Sequence, residues 1–98
     1  MHILIQHYAF DPHVSTVVNR SILERLAPLL RTSPGFVAYY WLASGAGSGT
    51  SVSVFEDQSA ADAALELVAD VVHERLAPQA GKPDVIQGEV KVYANCGL

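Results

Sequence analysis

Charge is scarce in this chain of 98 residues: Lys and Arg number six and Asp and Glu ten, 16% of the sequence, for a formal net charge of −4. The six cations are scattered, whereas a nucleic-acid surface needs several facing the phosphates together, so nucleic acid and anionic membrane surfaces are not expected partners. Long apolar runs are missing as well. None approaches the ~18 residues that a membrane-spanning helix needs. Met1 passes straight into the strand-like His2-Ile3-Leu4-Ile5 without a basic stretch, which predicts no signal peptide and a cytoplasmic location. Cysteine occurs once, at Cys96, so no internal disulfide can form and a free thiol near the C-terminus is expected.

Apolar residues, by contrast, make up half the chain. A chain this short forms one domain and buries only about 60–65% of its unfolded surface. So rich an apolar supply predicts a face covered by a second subunit.

Residues 2–10 are rich in β-branched, aromatic and apolar types and end at Asp11-Pro12, which reads as a strand entering a helix with Asp11 as N-cap and Pro12 in its first position. Val14, Val18, Ile22, Leu26 and Leu29 recur at helical spacing over residues 12–31, with Thr16, Arg20, Glu24 and Arg31 opposite. Pro28 falls inside this helix and predicts a kink, because it lacks a backbone donor and crowds the carbonyl of Glu24. Residues 35–43 form an aromatic-rich strand. Ser44 to Gly49 has turn composition throughout and predicts a hairpin loop into a strand over residues 50–56. No helix start with Lys-Ser/Thr follows its glycines, which argues against a phosphate loop. Ser59, with Asp62 three residues on, predicts the start of a second amphipathic helix that ends near Ala77, before Pro78. The last strand is expected over residues 85–94, where Ile86, Gly88, Val90 and Val92 alternate with Gln87, Glu89, Lys91 and Tyr93.

The order β-α-β-β-α-β predicts a single α+β domain of ferredoxin-like topology: a four-stranded antiparallel sheet with two helices on one face. The other face is then bare. If it carries several of Phe36, Tyr40, Leu42, Val52 or Val54, or their strand neighbours, a second copy must cover it, and two such sheets make a closed barrel.

Leu26-Ala27-Pro28-Leu29-Leu30, Ser33-Pro34-Gly35-Phe36-Val37-Ala38-Tyr39-Tyr40, Ser51-Val52-Ser53-Val54-Phe55-Glu56-Asp57, the Ala-rich second helix and Ile86-Gln87-Gly88-Glu89-Val90 resemble the dimeric α/β-barrel proteins, and within them the antibiotic-biosynthesis-monooxygenase-like domains. The resemblance spans nearly the whole chain and implies a homodimer with a pocket between sheet and helices in each subunit. In such proteins the pocket serves cofactor-free oxygenation of aromatic, polyketide-like substrates or binds haem, and many have no assigned activity.

A cofactor-free oxygenase has its substrate, an electron-rich phenol, reduce oxygen itself, so the protein need only bind the ring, stabilise the phenolate and shield the intermediate. The candidates are His7, Tyr39, Tyr40 and Trp41 on strands, with Asn19 and Arg25 on the first helix. Aromatics at strand spacing ordinarily pack a core or an interface, and Arg25, inside the apolar stripe, either enters a cavity or snorkels past its edge. Val37, Tyr39 and Trp41 alternate with Phe36, Ala38 and Tyr40, so one set alone should face the helices. His73 falls in the polar arc of Asp62, Glu66 and Asp70, which predicts solvent exposure rather than a ligand role. His2, His7 and His13 lack ligand-like spacing, and neither a metal nor a cofactor is expected. Three functions follow: a pocket enzyme of the cofactor-independent monooxygenase type with an aromatic ligand and a cavity above ~300 Å³, a non-catalytic dimeric binding or accessory protein with a filled interior, and a haem binder with an inward histidine.

Overall fold

The computed structural model describes residues 1–95 and 97; Cys96 lies outside them. Strand β1 is His2–Ala9, β2 is Phe36–Gly45, β3 is Ser48–Phe55 and β4 is Asp84–Glu89. Helix α1 covers residues 12–30 and α2 residues 58–80, each in several segments. The strands form one antiparallel sheet in the order β2-β3-β1-β4, and both helices pack on one face, as the β-α-β-β-α-β pattern predicts. No helix among the described residues is long and apolar enough to cross a membrane.

Asp11 caps α1, its Oδ1 accepting from the backbone N–H of His13 at 2.9 Å. Its carboxyl is held below the usual range, first by that bond and then by the His13 side chain. The cap of α2 is Asp57 rather than Ser59: Asp57 Oδ1 accepts from Ala60 N–H at 2.8 Å, and the helix starts at Gln58. Asp and Ser cap about equally well, and the earlier residue captures the first free donors.

Both helices contain a wide turn, over Ile22–Leu26 and Val72–Leu76, closed by bonds from Ala27 N–H to the Ile22 carbonyl and from Ala77 N–H to the Val72 carbonyl. Each is written by the same run, Glu-Arg-Leu-Ala-Pro, at residues 24–28 and 74–78. The proline leaves the carbonyl four residues back without its usual donor, and an i→i+5 turn takes up the conflict. The sheet-facing residues explain why the turn is tolerated. Val18, Ile22, Leu26 and Leu30 recur at strict intervals of four, as do Ala64, Val68, Val72 and Leu76. In a regular α-helix such a row drifts about 40° per step around the axis, and the wider turn brings it back over the sheet. Pro28 therefore marks a local widening, and α2 runs through Pro78 to Ala80 instead of stopping at Ala77.

The strands depart from expectation at their ends. β2 and β3 extend into the glycine-rich segment, which shrinks the hairpin turn to Ala46-Gly47. β4 ends at Glu89 rather than residue 94, because its one partner, β1, begins opposite Glu89 at His2. Between Phe36 and Ala38 the β2–β3 register shifts by a bulge, so Phe36 packs with Tyr39 and Trp41 on the helix side and the simple alternation over residues 36–41 breaks. The core is Leu4, Val18, Ile22, Leu26, Leu30, Phe55, Ala61, Ala64, Val68 and Leu76.

The Trp41 indole lies over Gly49 of β3: a Cβ there would overlap the ring at Cζ2 and Cη2. Gly49→Ala should therefore push the indole off the sheet and cost about 1–3 kcal/mol, the range for overpacking. Urea unfolding with indole emission measures both effects.

Candidate functional site: a cleft beneath the helices

Strand β3 is inside out over residues 51–54, before Phe55 joins the core on the same inward face. Ser51 and Ser53 face the helices, 2% and 4% exposed, while Val52 and Val54 face away on the uncovered side of the sheet. Inward serines are short, and α2 lines the same space with buried Ala64 and half-buried Ala77. The layers consequently fail to fill the space between them. A cavity of about 550 Å³ remains, with Leu4, Gln6 and Tyr8 of β1, Leu26 and Leu30 of α1 and Tyr39 of β2 completing its walls. Buried residues form its floor; exposed Leu65, Ala69, His73 and Lys82 form its rim. This volume lies in the range of ligand sites.

Two hydroxyls in the wall lack partners. Tyr39 Oη and Ser51 Oγ are both shut off from solvent and neither reaches a partner in good hydrogen-bond geometry, although the two lie near enough for Ser51 to act weakly on the Tyr39 phenol. A buried polar group left so costs about 1–3 kcal/mol, and in both cases the residue that carries it lines the cavity. Burial pushes the Tyr39 phenol well above its ordinary value; Tyr8 adds to the rise by charge repulsion, and nearby Ser51 pulls weakly the other way. Burial alone raises the Tyr8 phenol. Both phenols are therefore neutral donors at physiological pH and cannot serve there as bases. With folded values raised, the linkage costs nothing below the unfolded tyrosine value near 10 and removes stability as pH climbs above it. The urea midpoint should hold steady to about pH 9.5 and fall beyond pH 10; Tyr39→Phe should flatten that fall.

No family model matches the sequence, and no curated protein does. Solved structures do. A protein of unknown function from Nitrosomonas europaea, NE2512, superposes with a TM-score of 0.82 at 18% identity over 96% of this chain and 92% of its own. The monooxygenase from the gene ActVA-Orf6 of Streptomyces coelicolor, in complex with the ligand nanaomycin D, gives 0.79 at 14% identity over 96% and 90%. A mutant of MhuD with two manganese protoporphyrin IX bound per active site gives 0.78 at 18% over 97% and 99%. Proteins named antibiotic biosynthesis monooxygenase also match, at 15–18% identity. The chain shares the α+β ferredoxin-like fold of these proteins.

Within this fold the six candidate side chains separate. Tyr39 lines the cavity. Trp41 faces the helix side beside it, 6.0 Å from the ring of Tyr8, and its Nε1–H donates to Asn19 Oδ1 at 2.7 Å. Asn19 thus ties α1 to β2 at the edge of the site. Tyr40 points to the uncovered face and is 56% exposed. His7 lies on that face too, bonded through Nδ1 to Thr50 Oγ1 at 2.9 Å. Arg25 is exposed and lines a shallow groove with Arg20, Glu24 and Arg75 on the outer side of the helices. His73 is exposed, and it also stands on the cavity rim.

Gln6, Tyr8, Ser51 and Ser53 were not picked out from the sequence as lining groups. The alternation Ser-Val-Ser-Val over residues 51–54 was the available signal. Read with the valines outward, it puts both hydroxyls under the helices.

Proposed function

We propose that this protein binds an aromatic, polyketide-like small molecule between sheet and helices and oxygenates it without a cofactor. The observation that carries the proposal is an apolar cavity of about 550 Å³ with the unpartnered hydroxyls of Tyr39 and Ser51 in its wall. A filled interior, as a purely structural dimer requires, does not fit that cavity. Apolar walls take the ring system, and the hydroxyls supply hydrogen bonds to a ring oxygen.

The chemistry follows from the substrate class. A ring carbon bearing two hydrogens next to a phenol surrenders both to one dioxygen molecule: one oxygen atom becomes a carbonyl on that carbon and the other leaves as water. All four electrons come from the substrate. Tyr39, kept protonated by its burial, donates to the ring oxygen as negative charge builds on it, an interaction that strengthens in a dry site. The walls keep bulk water from the reacting carbon.

Oxygen uptake with a hydroxylated anthrone is the test. Uptake well above the buffer rate is expected, with Tyr39→Phe lowering it at least about tenfold, toward the loss seen when an oxyanion donor is removed, and leaving stability unchanged or higher. Binding without uptake would replace this reading by that of a non-catalytic binding protein. Neither binding nor uptake would remove both.

A homodimer belongs to the same proposal. Ile5, Val52 and Val54 share the sheet face away from the helices with Tyr40, Leu42 and Ile86, of which the last two are 49% and 70% exposed. A contiguous apolar face of this kind marks an interface, and a second copy offers a matching one. Light scattering should give twice the chain mass of 10.5 kDa, with Leu42→Asp combined with Ile86→Asp giving the monomer. A monomeric parent protein would contradict the barrel.

Haem binding is a second reading, in which His73, exposed at the rim of the cavity rather than buried within it, would have to turn inward to hold the iron. Added haemin should then give a Soret band that His73→Ala alters; an identical spectrum would retire the reading.

A further inference from the structure

The lining of the cavity is sorted by charge. None of the ten Asp and Glu residues of this acidic chain reaches it, and its charged side chain, Lys82, stands at the exposed rim. Among the described residues no carboxylate pairs with Lys82: the ion pairs are His13–Asp11 and Lys91–Glu89. Asp84, two residues on, sits opposite His7 in register and so belongs to the other face of the sheet.

Local backbone explains why Lys82 stays there. Gly81 ends α2 with φ at +64°, a conformation that side chains disfavour, and Pro83 restricts the chain immediately beyond. Lys82 is held between these two on a short turn into β4, with Pro83 half-buried in the cavity wall. The floor, by contrast, offers the hydroxyls of Tyr39 and Ser51, which are uncharged donors suited to a carbonyl or phenol oxygen.

We infer that the ligand is an aromatic carboxylic acid that enters ring first, its ring oxygen meeting Tyr39 and Ser51 and its carboxylate remaining at the rim against Lys82. A single ammonium balances a single negative charge, and the one other titratable side chain among the residues of the rim is the imidazole of His73. The inference rests on the pocket reading above and adds to it the charge and orientation of the ligand.

The test uses two probes of one shape, anthraquinone-2-carboxylate and anthraquinone-2-carboxamide, titrated calorimetrically into the full chain at low salt. The carboxylate should bind about fivefold more tightly, the upper end for an exposed ion pair. That preference should vanish in Lys82→Gln and in 0.5 M salt, where charges at the surface are screened, while carboxamide affinity stays the same in parent and variant. Unchanged carboxamide binding also shows that the variant is folded. Equal binding of the two probes to the parent protein, or a preference that survives Lys82→Gln, would overturn the inference and leave the pocket reading standing. Binding of neither probe would overturn both.

Discussion

The register of β3 is the constraint on which the other features depend. Side chains alternate along a strand, so one choice of face fixes all eight residues of Ser48–Phe55. In this chain it turns Ser51 and Ser53 beneath the helices and Val52 and Val54 outward. Taken as a lone monomer, that choice has the wrong sign, with hydroxyls in the interior and valines toward water. It becomes favourable when a ligand's polar atoms meet the hydroxyls and a second apolar sheet covers the valines. The cavity and the uncovered apolar face are thus two consequences of one register.

The helices hold the cavity open rather than closing it. Two copies of Glu-Arg-Leu-Ala-Pro place a wide turn in the same relative position in α1 and α2, and the four-residue rows of Val18 to Leu30 and Ala64 to Leu76 stay over the sheet because of it. On α2 that row begins with Ala64, which lines the same cavity as the serines of β3. Bulky side chains in either row would have filled it. The turn in α2 also holds Val72 in the wall and His73 on the rim.

Much of the architecture was legible in the sequence because it is written in local signals. Helical and strand periodicities, Asp11-Pro12 and the glycine-rich hairpin yielded the element order, and the order yielded the sheet. What was not legible depends on contacts between distant segments. The bulge at Val37 is set by pairing with β3, and it carries Phe36 to the same side as Tyr39 and Trp41. The end of β4 is set by where β1 begins. Of the candidate site residues, Tyr39 meets the cavity, Trp41 and Asn19 brace its edge, and His7, Tyr40 and Arg25 stand elsewhere, since residue type alone cannot tell which face of a strand or helix a side chain takes. Ser51 and Ser53 passed unnoticed because serine in a strand carries no chemical signature until the face it occupies is known.

Thermal unfolding of Ser51→Val tests the inside-out register most directly. The substitution fills part of the cavity with a methyl group and removes an unpartnered buried hydroxyl. If Ser51 lines a ligand site, stability rises by about 1 kcal/mol, which for a domain of this size lifts Tm by about 4–8 °C. A lower Tm would mean that the Ser51 hydroxyl or the space beside it already serves the fold, and would contradict the account.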